Sequence, residues 1–193
     1  MFRSDPVGLP GLASLAVVCL LFALSLLIAR RGREPGDTAA RARASTAGIA
    51  VQGVGIFIAG FGPILVGLDP LGGEALGEAA AVSLLAGAGP LLFDWAVRTM
   101  GRNWSLRART RADHELVQDG PFRFLRHPIY LAMALFTVAM AVAFGHIRQL
   151  LLALPLFALG TWLRVRSEEA LLRAMFGADY DTYAARVRRF GLF

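Results

Sequence analysis

At 193 residues, 56% of them hydrophobic and with a mean hydropathy of +0.56, the chain carries more apolar surface than a soluble domain of this size can bury, so several membrane spans are expected. All 20 basic residues are arginine and the net charge is +6; these arginines sit beside apolar runs, which points to lipid headgroups and topology control rather than to nucleic acid. The single cysteine, Cys19, lies inside a hydrophobic run, and the three histidines, His114, His127 and His146, lack ligand spacing, so neither a disulfide framework nor a metal site is expected.

The first element is the uncharged run from Gly11 to Ala29, long enough at about 1.5 Å per residue to cross roughly 30 Å of hydrocarbon. Only Arg3 precedes it, whereas Arg30, Arg31, Arg33, Arg41 and Arg43 follow, so it reads as a retained span rather than a signal peptide. Ala47 to Leu68 is the second span, dotted with glycine at 48, 53, 55, 60, 62 and 67, with Pro63 expected as a kink. Small residues let helices approach closely, which places this span inside a bundle. An acidic loop from Asp69 to Glu78 leads to the third span, Ala79 to Val97, interrupted by Gly87, Gly89 and Pro90. Asp94 near its end is expected to pair with Arg98.

From Arg98 to Pro128 the chain is polar, with seven arginines. Two short apolar runs follow, Ile129 to Phe144 and Leu150 to Leu163, broken at Gly145–Gln149. They read as a tight helical hairpin that barely crosses the bilayer or dips in and returns. The remainder, Arg164 to Phe193, reads as an amphipathic helix and a basic tail. The fold expected is all-α: a polytopic membrane protein of about five transmembrane helices, a short C-terminal hairpin and a cytoplasmic amphipathic C-terminal helix. Arginine-rich loops on one side and the acidic loop on the other set the amino terminus outside and the carboxyl terminus inside. No linker divides the chain, so residues 1–97 supply three spans and 98–193 the cofactor-binding and catalytic region of one integrated domain.

Two polar clusters flank the hairpin. The first runs from His114, Glu115, Leu116 and Val117 through the Gly120–Pro121 turn and Phe122 to His127, Pro128, Ile129 and Tyr130. Proline is favoured as the first residue of a helix, so His127 is expected at the cap, with unpaired amide groups beside it that suit an anion. Tyr130 lies one turn in. The second cluster is Arg164, Arg166, Glu168 and Glu169, at the end of the last apolar run. Carboxylates next to hydrocarbon are costly unless paired or solvated, which makes them functional candidates. The two tyrosines of the segment from Phe176 and Gly177 to Tyr180 and Tyr183 are read as packing residues.

In order and spacing, His114 to Val117, Gly120 to Phe122, Arg126 to Tyr130, Arg164, Glu168–Glu169, Phe176–Gly177 and Tyr180 resemble the isoprenylcysteine carboxyl methyltransferase family, integral membrane enzymes that use S-adenosylmethionine and are more loosely related to phospholipid N-methyltransferases. The resemblance covers roughly Gly101 to the end. It implies that His114, Glu115, Leu116, Val117, Phe122, His127, Pro128, Ile129, Tyr130 and Glu168 contact the cofactor and that Arg164 faces the methyl acceptor. Phe122 departs from the family pattern, in which tyrosine is usual. Aromatic faces suit a sulfonium and an adenine. A carboxylate acceptor needs no base, whereas an amine would have to lose a proton, to Glu169 or His127. Arg164 and Glu169 are therefore the expected catalytic pair.

The acceptor expected is a lipophilic or lipidated molecule entering from the bilayer at the cytoplasmic face of a bacterial plasma membrane, with no nucleic-acid partner. Three rival readings remain in view. A phospholipid amine N-methyltransferase shares the cofactor. An NADPH-dependent sterol or lipid reductase usually carries a glutamate soon after its His-Pro-x-Tyr motif, where Leu131, Ala132, Met133 and Ala134 stand here. A non-enzymatic scaffold leaves Arg164 and Glu168 without a purpose.

Overall fold

A computed structural model describes residues 4–30, 43–101 and 115–190; His114 and most of the arginine-rich loops lie outside the described residues. The described chain is helical, as expected: α1 (Leu9–Arg30), α2 (Arg43–Gly60), α3 (Gly73–Met100), α4 (Pro128–Ala143), α5 (Leu150–Phe176) and α6 (Ala178–Arg186). Two-residue strands, β1 (Pro6–Val7) and β2 (Leu65–Val66), pair in parallel with Pro6 opposite Leu65.

α1 packs on α3, α3 on α4 and α2 on α5. Small residues set these approaches. Leu15, Val82, Ala86, Ala139 and Ala143 form one buried cluster, and Phe93, Val97 and Ala132 another, on which Phe22 closes edge-on to Phe93 at 4.9 Å. A Cβ at Gly55 would stand 2.7 Å from the backbone of Ala153 and Phe157, so the α2–α5 contact depends on glycine there. Outward the helices are leucine: Leu20, Leu84, Leu91 and Leu151 are each more than 70% exposed. A surface of that kind suits contact with lipid.

Several boundaries differ from the sequence expectation. α2 stops at Gly60 instead of Leu68, because the chain turns at Gly62 (φ +141°) and continues into β2. Pro63 therefore follows the helix and does not kink it. α3 begins earlier, with Glu74 in its first turn where the helix dipole favours an acid, and runs through Pro90 without a break. α5 does not end where its apolar residues end at Leu163; it continues as one helix of 27 residues to Gly177, whose φ of +52° terminates it. The separate amphipathic helix is α6. The expected tight hairpin is splayed, since α4 lies mainly on α3 and α5 mainly on α2. Among the described residues, 73–100 and 147–176 are each long and apolar enough to cross a membrane unaided, and Leu9–Leu24, Thr46–Gly60 and Pro128–Ala143 are shorter apolar helices.

One end of the bundle is closed by the amino-terminal segment. Asp5 N–H donates to Gly145 O (2.9 Å), Ser4 Oγ to Pro63 O (2.6 Å), and buried His146 sits between the carbonyls of Ala59 and Pro63. Glu78 on α3 accepts from Gly8 N–H at the head of α1 (3.1 Å). Both expected clusters lie at the opposite end.

Candidate active site

The site begins with a turn. Gly120 adopts φ +57°, and a Cβ there would collide with Thr99 and approach Trp95, so the 3-10 turn Gly120–Arg123 seats against the end of α3. Phe122 is buried in this turn, and its carbonyl accepts from Tyr183 Oη on α6 (2.8 Å). Burial pushes the Tyr183 phenol up to about 12, so it stays a donor at neutral pH. Leu116 packs on Tyr180, Tyr183 and Val187, as the packing role expected for these tyrosines requires.

The turn delivers His127 to the cap position of α4, with buried Pro128 as the first helical residue. The position matches the expectation, but the imidazole does not cap. Instead Nε2 lies 3.2 Å from Glu169 Oε1, and Nδ1 lies 3.8 Å from Glu168 Oε2. A carboxylate only accepts, so the nitrogen facing Glu169 carries the proton of that bond.

Glu168 and Glu169 are adjacent in sequence and divergent in space, because successive helical residues do not share a face. Glu168 is partly exposed; its Oε1 accepts from Tyr130 Oη and its Oε2 faces His127. Glu169, expected as a catalytic group, is buried beneath. Arg189 grips it with two bonds, Nε to Oε1 (3.0 Å) and Nη2 to Oε2 (2.8 Å), and Arg126 Nη1 lies 3.3 Å from Oε1. The backbone reinforces this, since the N–H groups of Arg126 and His127 donate to the carbonyls of Arg188 and Arg189. The basic tail is therefore stitched to the turn before α4. That pairing carries no local sequence signal.

Arg164, one turn before Glu168, lies over the Tyr130 ring at 4.9 Å and donates from Nη1 to Gln52 Oε1 on α2 (2.9 Å). Gln52 is a residue the sequence reading passed over, although a polar side chain in an apolar run is itself a signal. Thus α4 and α5 bring Tyr130, Arg164, Glu168, His127 and Glu169 together. Ile129 points the other way, into the Phe93–Val97 cluster of α3. Glu115 is exposed and Val117 half-buried at the edge of the turn. Asp94 pairs with Arg98 at 2.6 Å, as expected.

The donor set fits S-adenosylmethionine. Glu168 offers a carboxylate oxygen for hydroxyls or an ammonium, and the Tyr130 and His127 rings stand 5.9 Å apart beside it. Pro128 has no N–H and His127 N–H is donated to Arg189 O, so the first turn of α4 offers a carboxylate only the amides of Ile129 and Tyr130. If Glu168 makes this contact, Glu168→Gln weakens S-adenosylhomocysteine binding by about 1.5–3 kcal/mol, the range for a hydrogen bond to a charged group. Its unfolding temperature should not move, which calorimetry on the purified variant checks.

Residues 81–174 match the model of the isoprenylcysteine carboxyl methyltransferase family. A probable protein-S-isoprenylcysteine O-methyltransferase of Oryza sativa subsp. indica is 31% identical over 109 residues, covering 51% of this chain and 53% of the rice protein. Protein-S-isoprenylcysteine O-methyltransferase B of Arabidopsis thaliana is 30% identical, with 51% of each chain covered. The chain spans about half the length of these curated relatives. A solved structure of the eukaryotic intramembrane Ras methyltransferase shares the fold at a TM-score of 0.60 and 20% identity, covering 93% of this chain and 66% of that one.

Proposed function

We propose that this chain, which belongs to the isoprenylcysteine carboxyl methyltransferase family, transfers a methyl group from S-adenosylmethionine to the carboxylate of a prenylated cysteine or similar lipid acid. One observation carries the reading: Arg164 and Glu168 of α5 converge on the same Tyr130 of α4 from its ring face and its hydroxyl. A cation for the acceptor and a carboxylate for the cofactor then stand side by side at the end of the bundle.

When bound, the cofactor supplies a methyl group on a positively charged sulfur. A carboxylate acceptor is already nucleophilic at neutral pH, so the residues must position the groups and exclude water rather than move a proton. Arg164 holds the acceptor carboxylate, and its planar fork matches that group. Tyr130 holds Glu168 by its hydroxyl and Arg164 by its ring. Glu169 and His127, the bases an amine acceptor would need, are engaged with Arg126, Arg189 and each other, and this favours the carboxylate. Glu169 then acts as the buried pin that fixes the two helix ends and the tail. Phe122, Val117 and Pro128 shape the cofactor side, with His114 and Glu115 preceding them in sequence, whereas Ile129 packs on α3 and Leu116 on α6 and both are left out of it. The test is transfer of labelled methyl to an S-prenylated N-acetylcysteine in detergent. Label recovered as a base-labile ester supports the reading, and label found only in phospholipid amines overturns it.

Topology is part of the proposal. Five segments, α1 to α5, cross a bacterial plasma membrane and place the site at the cytoplasmic face, with residues 1–97 supplying lipid-facing spans and 98–193 the chemistry. At 18 and 16 residues, α2 and α4 reach only about 27 and 24 Å, so the bilayer thins there or flanking arginines snorkel. On the longer α5, Arg166 lies over the Trp162 ring at 4.7 Å, a pairing suited to headgroup level. Alkaline phosphatase fused after Phe193 should be inactive and fused after Leu68 active; the reverse pattern overturns the orientation.

A further inference from the structure

The family match begins at residue 81, yet the guanidinium assigned to the acceptor is held by a residue well before it. Gln52 is 2% exposed and Thr161 5% exposed, both in the α2–α5 contact. Gln52 Nε2 donates to Thr161 Oγ1 (2.8 Å), and Gln52 Oε1 accepts from Arg164 Nη1 (2.9 Å). The amide has one orientation that serves both. A guanidinium only donates, so the oxygen must face Arg164, and the NH2 is left for a hydroxyl that can accept.

Glycines bring this amide within reach. A Cβ at Gly160 would strike the Gln52 backbone, and one at Gly48 would stand 2.6 Å from Arg164 Cγ and 2.8 Å from Gly160 O. Without both glycines α2 would stand further from α5. The contact thus runs as one polar line through the apolar seam: Thr161, Gln52, Arg164, Tyr130, Glu168.

We infer that Gln52 is a positioning residue for the acceptor: its amide, oriented by Thr161, sets the direction of the Arg164 guanidinium over Tyr130. The inference rests on the methyltransferase reading. An arginine side chain has many rotamers, and a stacked ring alone leaves the fork free to rotate in its own plane. A fixed acceptor on one Nη removes that freedom, so the guanidinium plane is held in one orientation. A different role, interhelical glue between α2 and α5 alone, predicts a loss of stability with no special dependence on Arg164.

The experiment is a double-variant cycle on the full chain in detergent, with an S-prenylated N-acetylcysteine as acceptor. Gln52→Met keeps the length and removes the oxygen. Acceptor kcat/KM should fall roughly 10- to 100-fold, the loss expected for a group displaced by about an ångström, with S-adenosylhomocysteine affinity unchanged. Gln52→Glu keeps an oxygen for Arg164 and should retain more activity than Gln52→Met. In an Arg164→Lys background, Gln52→Met should cause no further fall. If Gln52→Met does not fold, Gln52→Asn, whose amide is drawn back by one methylene, takes its place with the same expectation. Losses that multiply in the double variant, equal losses in the Met and Glu variants, or a parallel loss of S-adenosylhomocysteine affinity overturn the inference. Wild-type protein that binds no S-adenosylhomocysteine overturns the parent reading, and that result is obtained before any variant is made.

Discussion

Arg164→Ala is expected to lower methyl transfer by about two to three orders of magnitude, the size of loss seen when a preorganised donor is removed from a reacting centre. Affinity for S-adenosylhomocysteine should be nearly intact, because the contacts of Arg164 run to Gln52 on α2 and the Tyr130 ring, on the side assigned to the acceptor. Arg164→Lys should restore little. A lysine keeps the charge, but its ammonium can neither span the distance between Gln52 and an acceptor with a planar fork nor stack on the tyrosine in the same way. Kinetics with labelled cofactor, run beside calorimetric binding, separate the two effects. Parallel loss of binding and turnover would instead make Arg164 a support for Glu168.

Glu169→Ala is expected to be the most destabilising single substitution at this end of the molecule. It leaves Arg126, 11% exposed at its side chain, and His127, 6% exposed, facing an empty buried space, and it releases Arg189. Removing one partner of a buried charge cluster costs about 3–5 kcal/mol, because the remaining charge stays desolvated and unpaired. Thermal unfolding in detergent should reveal a large downward shift for Glu169→Ala and a small one for Glu168→Ala, whose carboxylate is partly solvated. Arg189→Ala should lie between the two, since Arg126 and His127 still hold Glu169. Equal shifts for the two glutamates would contradict the division of labour between them.

That division is where the sequence was hardest to read. The doubled glutamate marked the site, but adjacency hid the fact that neighbouring helical residues point about 100° apart, one toward solvent and one into the tail. His127, Pro128 and Tyr130 were legible because proline fixes a helix start and Tyr130 then falls one turn inside. The tail was not legible. Arg189 reaches Glu169 through backbone pairing with residues 126 and 127, a contact without local pattern. Length misled at α5, where the change from apolar to charged residues at Arg164 marks the edge of the lipid-facing surface and not the end of the helix. Gln52 stood as a lone amide among glycines, and its meaning depended on which helix α2 touches.

The decisive measurement is a calorimetric titration of the detergent-purified chain with S-adenosylhomocysteine and, separately, with NADP⁺. The methyltransferase reading predicts saturable heat with S-adenosylhomocysteine, weakened in Glu168→Gln and preserved in Arg164→Ala, and none with NADP⁺. Saturable binding of NADP⁺ with no response to S-adenosylhomocysteine would contradict it.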